Sequence, residues 1–139
     1  MGIILMNLKD LKEHEKVDLK YLKKLKNRIK KDKVLKRVIA VDKNTNIIID
    51  GHVRFNSLKQ LGYSKIPVCL IDYKSSEILV ETWRKGEKIL KEDVLLAGLN
   101  GKKFPPKTSK HMIKIGNKLK HISFIERKIN IPLEKLRGD

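Results

Sequence analysis

The sequence has little cysteine and no long apolar runs. These absences argue against a disulfide-stabilised protein and against a membrane-spanning one. Its 139 residues include one cysteine, Cys69, so no disulfide can form within the chain, as is usual in a reducing cytoplasm. Apolar runs stay below the roughly 18 residues that a membrane-spanning helix needs. The opening MGIILM lacks the basic start and the length of a signal peptide. We therefore expect a cytoplasmic protein with no membrane span.

Acidic residues and arginines are scarce beside the lysines. The chain has 33 Lys and Arg against 16 Asp and Glu, a formal net charge of +17, and only six of the 33 are arginines. Surfaces that clamp phosphates or read bases favour arginine, whereas a composition rich in Lys, Glu and Ile is typical of hyperthermophiles. The charge therefore leaves two interpretations open, a general lysine bias and a dedicated nucleic-acid surface.

The sequence does contain enough apolar residues for one core. Hydrophobic residues make up 40% of the chain, which is too many for a disordered basic segment. No internal repeat or low-complexity linker divides the chain. We predict a single domain over residues 1–139, with a core in residues 1–83 and a C-terminal part in residues 84–139.

The apolar pattern predicts an α/β fold, a small mixed β-sheet with helices packed on it. Strands are predicted over residues 3–8, 37–41, 47–49, 66–71 and 78–83, and the turn-rich segment 42–46 makes a β-hairpin of two of them. Helices are predicted over residues 18–31, just after Asp50, and over residues 91–100. Asp18 is the expected N-cap of the first helix, and Gly62 and Gly101 are expected to end the other two.

Further local predictions concern the C-terminal part. Either Thr108 or Ser109 is expected to cap a helix after the Pro-Pro step. A turn is expected at Gly116 and Asn117. The residues expected to face inward from the helix over 91–100 are Val94, Leu95 and Leu99.

Residues 50–54, which follow an apolar strand and precede a helix, have the composition of an anion site. Backbone N–H groups in a first helical turn are unpaired, and the helix dipole adds partial positive charge there. Glycine admits a ligand close to the backbone, and arginine can clamp two phosphate oxygens. Gly51, His52 and Arg54 therefore predict a phosphate cradle, with Asp50 placed to bind a metal ion or orient a hydroxyl. A second interpretation stays open, with Asp50 as a helix cap and Arg54 as a surface cation.

The stretch IIIDGHVRFNSLKQLGYSKIPVCLID resembles the core of the ParB/sulfiredoxin superfamily. The hallmark of that core is an apolar strand, D-G-H-H-R, an amphipathic helix ending in L-G, and an I-P-V strand; here Val53 replaces the second histidine. Sulfiredoxins need a cysteine in this motif, and residues 50–54 have none. ParB proteins carry a G-E-R-R box, which this chain lacks. Cys69, in an apolar strand, is interpreted as a small core residue.

Within that superfamily the chain resembles the archaeal free L-serine kinases at four separated places. These are a K-x-H-E segment at residues 12–15, the D-G-H-x-R motif at residues 50–54, a strand ending in Thr82-Trp83, and F-x-P-K-T-x-[RK]-H at residues 104–111. The tail FIERKINIPLEKL also resembles the closing segment of that group. The last of the four motifs is the most specific, because the wider superfamily lacks it.

The resemblance implies a kinase that moves a phosphoryl group from ADP or ATP, with Mg²⁺, to the hydroxyl of free L-serine or a similar small polar substrate. Glu15 would be the catalytic carboxylate that accepts the hydroxyl proton, and Asp50 would orient the hydroxyl or bind Mg²⁺. The residues implied to bind the nucleotide phosphates or close over them are Gly51, His52, Arg54, Lys107, Thr108, Ser109 and His111. Trp83 is implied as a wall of the substrate pocket. His14 is implied as a second residue of the substrate site, where it would orient Glu15.

Other interpretations stay open on the sequence alone. A ParB-like DNA-binding protein or nuclease would account for the +17 charge, and a nucleotide-binding module without catalysis would share the phosphate cradle. Glu13 is interpreted as a solvated acid among lysines. His14 fits a surface position as well as a role beside Glu15.

Overall fold

The structure, a computed structural model that describes residues 2–138, is a mixed α/β fold. The helices are α1 (Leu19–Asp32), α2 (His52–Gln60) and α3 (Lys91–Asn100). The strands are β1 (Ile3–Asn7), β2 (Val34–Arg37), β3 (Ile39–Asp42), β4 (Ile48–Asp50), β5 (Lys65–Ile71), β6 (Ile78–Glu81), β7 (Lys110–Ile115), β8 (Lys118–His121) and β9 (Lys128–Pro132). Short 3-10 helices occupy Leu8–Asp10, Ile122–Ile125 and Leu133–Leu136.

A four-stranded mixed sheet in the order β1-β5-β3-β4 forms the centre of the fold. Strands β3 and β5 run parallel, and the other neighbours run antiparallel. Two smaller sheets, β2-β9 and β6-β7-β8, lie beside it. The predicted fold class, a small mixed sheet with packed helices, is confirmed.

The central sheet is buried on both faces because its side chains alternate between two apolar clusters. Along β3, Ile39 and Val41 pack into one cluster with Phe55 and Leu58 of α2. Ala40 points to the opposite cluster, which includes residues of α3, β6 and β7. Alternation of this kind follows from the two-residue period of a strand. Strands buried on both faces read as continuous apolar runs, which is why these segments were recognisable in the sequence.

The predicted helix boundaries are largely confirmed. The Asp18 carboxylate accepts hydrogen bonds from the backbone N–H groups of Lys20 and Tyr21 at 2.9 and 3.2 Å, so it caps α1 as expected. Gly62 follows α2 with φ +85°, and Gly101 ends α3 with φ +69°. In both places the left-handed backbone favours glycine. Within residues 2–138 the longest helix is α1, and no helix there is long and apolar enough to cross a membrane.

Three local predictions were wrong. The strand predicted over residues 37–41 is two strands, because Val38 lets the chain pass from the β2-β9 pair into the central sheet, and its N–H bonds to the Arg127 carbonyl at 3.2 Å. The helix predicted after Thr108 or Ser109 is strand β7, which pairs with β6 and β8. Leu99, which was expected to face inward, is 54% exposed; the buried residues of α3 are Val94, Ala97 and Gly98, and Gly98 lies against Ile47.

Candidate active site

A cavity of about 690 Å³ lies between α1, the start of α2, the turn before β7 and the segment after Ile122–Ile125. Several residues predicted from separate motifs line it together: Glu15, Asp50, Gly51, His52, Arg54 and Lys107. Predicted site residues that are absent from its lining are His14, Trp83, Thr108, Ser109 and His111. The sequence motifs around residues 15, 50–54 and 107 therefore converge on one cavity.

Gly51 shapes the floor of this cavity. It is the N-cap of α2, with φ +112° and ψ 20°, a conformation that residues with a Cβ rarely adopt. A Cβ at this position would lie 2.6 Å from the Cβ of Ile39 in the neighbouring strand. No side chain caps the first turn of α2, so its N–H groups remain available to an anion in the cavity.

His52 begins α2 and is turned inward. Its Nε2 accepts a hydrogen bond from the backbone N–H of His14 at 3.2 Å, and the two rings make an edge contact with centroids 4.5 Å apart. Burial lowers the pKa of His52 well below its usual range, and the neighbouring His14 and His111 add to that. His52 is therefore a neutral ring that ties the phosphate motif to the segment carrying Glu15.

Arg54 is engaged by protein groups at the back of the cavity. Its guanidinium donates to the Val38 carbonyl at 2.9 Å and to Oε1 of Glu126 at 2.9 Å, and its Nη2 lies 3.6 Å from Oδ2 of Asp50. The side chain is only partly exposed. A guanidinium fixed in this way presents a directed positive charge to the cavity.

Glu126 is the functional candidate that the motif analysis did not single out. Its side chain is fully buried, it lines the cavity, and its Oε2 has no hydrogen-bond partner among the described residues. Burial raises the pKa of the Glu126 carboxyl to about 8, with the Asp50 carboxylate adding to the rise and Arg54 opposing it. The one signal for it in the sequence is its place in FIERK, the tail segment that resembles the serine kinases.

Asp50 and Glu126 are the residues that fit a magnesium ion. Mg²⁺ is commonly bound by one or two carboxylates together with substrate phosphates and water, and the Asp50 and Glu126 carboxyl groups both lie beside Arg54 in the cavity lining. Among residues 2–138, no group of three or more His, Cys, Asp and Glu side chains is arranged to bind a metal by itself. The donor set therefore matches a cation that arrives with phosphate oxygens.

Glu15 is brought to the cavity by backbone pairing with Phe104. The Phe104 N–H donates to the His14 carbonyl at 2.9 Å, and the Lys16 N–H donates to the Phe104 carbonyl at 2.8 Å. This pairing places the segment that follows Phe104 against the Glu15 carboxylate. Oε1 of Glu15 accepts from both the backbone N–H and the hydroxyl of Ser109, each at 2.8 Å.

The electrostatics of Glu15 suit a proton acceptor. Burial raises the pKa of its carboxyl, and the hydrogen bonds from Ser109 and from the backbone N–H groups of Thr108 and Lys107 act against that rise. Lys107 has φ +59°, and consecutive N–H groups in such a turn form an anion-binding concavity. In this structure the concavity of residues 107–109 holds the Glu15 carboxylate.

His14 is buried and does not occupy a surface position. It is 0% exposed, with its Nδ1 2.7 Å from the Ile48 carbonyl and its Nε2 3.0 Å from Oγ of Ser109. Burial lowers its pKa to about 4. His14 therefore lies behind Glu15, joined to it through Ser109.

Thr108 and His111 lie in the interior behind the cavity. The Thr108 hydroxyl donates to the Pro105 carbonyl at 2.7 Å and closes the turn before β7. Nε2 of His111 lies 2.8 Å from the Tyr73 hydroxyl, and burial lowers the pKa of His111 well below its usual range. Both residues hold the turn at residues 107–109, which forms one wall of the cavity. Lys107 is the exposed cation of this motif that lines the cavity.

Trp83 and Glu13 complete the set of singled-out residues. Trp83 is 55% exposed, and the Lys110 ammonium lies 4.6 Å from its ring centroid. The interpretation of Glu13 as a solvated acid was wrong, because its side chain is largely buried and pairs with Lys103 at 2.6 Å. The Lys103 pairing orients the strand-like segment that leads to Glu15.

Cys69 is buried, as predicted.

Sequence comparisons find relatives that share part of this chain. A ParB-like protein of Sulfolobus acidocaldarius is 38% identical over 77 residues, which are 55% of this chain and 38% of the relative. An ATP-dependent L-serine kinase of Desulfurococcus mucosus is 32% identical over 87 residues, 60% of this chain and 34% of the relative. Another from Staphylothermus marinus is 30% identical over 112 residues, 71% of this chain and 44% of the relative. The chain thus spans less than half the length of these curated relatives. No protein-family profile matches it.

Solved structures share the fold over almost the whole chain. A free serine kinase mutant in complex with ADP superimposes with a TM-score of 0.82 at 16% identity, covering 98% of this chain and 94% of that one. A free serine kinase in complex with AMP gives 0.81 at 17% identity, covering 96% and 93%. At this identity the likeness establishes the fold. The resemblance inferred from the motifs is confirmed: the chain is similar in sequence to part of a ParB-like protein and of two L-serine kinases, and it has the fold of the free serine kinases.

Proposed function

We propose that this protein is a nucleotide-dependent phosphotransferase that phosphorylates the hydroxyl of free L-serine, or of a similar small polar substrate, to give O-phospho-L-serine. The observation that carries the proposal is the convergence of the Glu15 carboxylate and the uncapped N-terminus of α2 on one cavity. The names of two relatives, ATP-dependent L-serine kinases, support the acceptor and the donor. The nucleotide complexes with ADP and AMP in structures of the same fold support a nucleotide site.

The phosphates of the donor would bind at the floor of the cavity. The first N–H groups of α2 and the Arg54 guanidinium supply positive potential there, and Gly51 lets a phosphate approach the backbone. Lys107, in the turn before β7, adds an exposed ammonium to the cavity lining. Phosphoryl transfer depends mainly on such positioning and charge stabilisation.

Glu15 would take the proton of the substrate hydroxyl. As the hydroxyl oxygen forms its bond to the terminal phosphorus, the bond from that phosphorus to the bridging oxygen of the donor breaks, and the proton passes to the Glu15 carboxylate. A carboxyl whose pKa is raised by burial is a better base than an ordinary glutamate. The products are the phosphorylated alcohol and a nucleotide with one phosphate fewer.

Mg²⁺ would be bound by Asp50 and Glu126 together with the donor phosphates. When bound, the ion would neutralise charge on the transferring group. A cation there would favour the ionised form of Glu126, whose carboxyl pKa is raised to about 8 by burial and by the Asp50 carboxylate. The cytoplasmic location, the hyperthermophilic origin and the division of the chain at residue 83 stay predictions from the sequence.

The direct test is product formation. Purified protein is incubated with Mg²⁺, L-serine and either ATP or ADP, and phosphoserine is measured by ³¹P NMR and mass spectrometry. We expect phosphoserine with at least one donor, none when serine is omitted, and a large loss when EDTA is added. Absence of phosphoserine with both donors, in protein shown to be folded, would reject this function.

A ParB-like nucleic-acid-binding protein is the second candidate, favoured by the ParB-like relative and the net charge of +17. Lysines crowd the outer face of α1, and within residues 2–138 none of the α1 lysines forms a salt bridge. Binding of this type weakens steeply with salt, because counterions are released from the phosphates. Fluorescence anisotropy with labelled duplex DNA at about 50 and 200 mM salt tests it: an affinity drop of 10-fold or more is expected, and no binding at low salt excludes it.

A further inference from the structure

We propose that Ser109 is a positioning residue whose hydroxyl hydrogen turns from Glu15 to His14 when Glu15 takes up the substrate proton. The inference rests on the proposed function, because it assigns Glu15 the role of proton acceptor. It adds a partner-switching hydrogen bond that keeps the Ser109 hydroxyl satisfied in both protonation states of Glu15.

The geometry places one hydroxyl between two acceptors. Oγ of Ser109 lies 2.8 Å from Oε1 of Glu15 and 3.0 Å from Nε2 of His14. Both distances are those of good hydrogen bonds. The backbone N–H of Ser109 also donates to Oε1 of Glu15, at 2.8 Å, which fixes the serine main chain while its hydroxyl stays able to rotate.

The tautomer of His14 is set by the main chain. Its Nδ1 lies 2.7 Å from the Ile48 carbonyl oxygen, and a carbonyl only accepts hydrogen bonds, so Nδ1 carries the hydrogen. In the neutral ring Nε2 is then a bare acceptor. His14 is buried, and burial lowers its pKa to about 4, so the ring is neutral and offers this acceptor at neutral pH.

One hydroxyl has one hydrogen, so Ser109 serves one of the two acceptors at a time. An ionised carboxylate attracts that hydrogen more strongly than a neutral imidazole does. Once the carboxylate has taken a proton on its other oxygen, Oε1 becomes a weaker acceptor and Nε2 of His14 becomes the better one. The change is a rotation about the Cβ–Oγ bond of Ser109, and no covalent bond is made or broken.

The switch predicts that removing the Ser109 hydroxyl and removing the His14 acceptor shift the pKa of Glu15 in opposite directions. Removing the Ser109 hydroxyl takes a donor from ionised Glu15, so the pKa of Glu15 rises. Removing the His14 acceptor leaves the hydroxyl no partner except Glu15, which favours the ionised carboxylate, so the pKa of Glu15 falls. A serine that only filled space would produce neither shift.

Other charged or titratable groups share the cavity with Glu15 and must be kept constant. They are Lys16, Asp50, His52, Arg54, Lys107 and Glu126, together with the charged residues of α1 and β2. None of them is altered in the variants below, and their effect on Glu15 is common to all of the proteins compared. Differences between the variants therefore report on Ser109 and His14.

The experiment measures the pKa of Glu15 by ¹³C NMR of its side-chain carboxyl carbon, assigned through Glu15→Gln, in protein without nucleotide. Ser109→Ala is expected to raise that pKa by about one unit and His14→Asn to lower it by about half a unit. The Asn amide N–H can still donate to the Ile48 carbonyl, and the shorter side chain leaves no acceptor at the position of Nε2. Ser109→Thr, which keeps the hydroxyl, is expected to stay within about 0.3 units, as is the matched control Ser75→Ala in an exposed turn.

Opposite shifts in Ser109→Ala and His14→Asn support the proposal. Shifts of the same sign, or no shift in Ser109→Ala, overturn it. If His14→Asn does not fold, the wild-type protein decides: the ¹⁵N shift of His14 Nε2 must move in step with the Glu15 titration, and a constant shift overturns the proposal. None of these readings needs turnover, so failure to form phosphoserine rejects the kinase function separately from the hydrogen-bond switch.

Discussion

The floor and the wall of the cavity are built in different ways. The floor, residues 50–54, is the junction of a buried strand and a helix, and its geometry is set by the neighbours Ile39 and Val38. The wall, residues 107–109, belongs to no helix or strand and is held by hydrogen bonds to Glu15 and His14. The floor is rigid because of regular structure, whereas the wall depends on side chains almost a hundred residues away in the chain.

The contrast assigns the two regions different tasks. A phosphate site needs fixed N–H groups and fixed charge, which a helix start on a central sheet provides. A proton acceptor needs partners that adapt when its charge changes, which a hydroxyl and a neutral imidazole provide. Substitutions in the floor should therefore lower stability as well as phosphate binding, whereas replacing the proton acceptor at the wall should lower activity with little change in stability.

Glu15→Gln should give the largest effect of all, and it acts on the wall alone. The amide cannot accept the substrate proton, so we expect phosphoserine formation to fall by about 10²–10⁴-fold, measured as kcat, with thermal unfolding changed little. Glu13→Gln is the matched control, since it removes a carboxylate two residues away that pairs with Lys103. Equal losses in the two variants would remove Glu15 from the chemistry.

Gly51→Ala should destabilise the floor. Its Cβ would meet Ile39 at 2.6 Å, and φ is +112°, so we expect a loss of about 3 kcal/mol in the free energy of unfolding, measured by urea denaturation. Gly62→Ala is the control: φ is +85° there, but a Cβ meets nothing within 4 Å. That variant should lose about 1 kcal/mol. A Gly51→Ala protein as stable as Gly62→Ala would contradict the packed floor.

Lowering the pH should reduce the free energy of unfolding, because His14, which is buried behind the wall, must take up a proton. The folded-state pKa of His14 is lowered to about 4 from 6.5, so the unfolded chain binds more protons between these values, and stability falls as pH drops through that window. His14 contributes roughly 2–3 kcal/mol to this fall, and His52 and His111 act in the same direction. Urea denaturation at pH 7 and pH 4.5 should show a shallower fall in the free energy of unfolding for His14→Asn than for the wild-type protein.

Trp83→Ala should have the smallest effect. The ring is 55% exposed and lies outside the cavity lining, with Lys110 over its face. We expect the free energy of unfolding to fall by less than about 1 kcal/mol, the scale of an exposed cation–π contact. The KM for serine should change less than about threefold, since that energy sets the scale. A rise above tenfold with an unchanged KM for nucleotide would instead make Trp83 the substrate wall implied by the motif.

The sequence predicted the floor better than the wall, for a physical reason. Asp18, Gly62 and Gly101 cap or end helices through contacts within their own segment. Their positions therefore predict the helix ends without knowledge of the fold. Gly51 was recognised in the same way, although its contact with Ile39 was not. These features depend on residues a few positions apart.

The wall could not be derived by the same means. The sequence favoured a helix after Thr108, because a hydroxyl residue after prolines is a good cap, but pairing with two strands gives a sheet. Nothing local shows that Ser109 meets His14 or that Glu126 lies beside Arg54. The resemblance placed Glu15, His14 and residues 107–111 at one site, and the structure gave their order: Glu15 in front, Ser109 between, His14 behind.

The central claim is that transfer takes place between Glu15 and the start of α2. A crystal structure of the protein with Mg²⁺, L-serine and a non-hydrolysable ATP analogue tests it most directly. We predict phosphates at the N–H groups of the first turn of α2, and the serine hydroxyl about 2.6–3.2 Å from the Glu15 carboxylate. Nucleotide bound in the second cavity, which is lined by Lys9, Lys12, Lys59, Lys65 and Lys103, with Glu15 touching no ligand, would contradict the account.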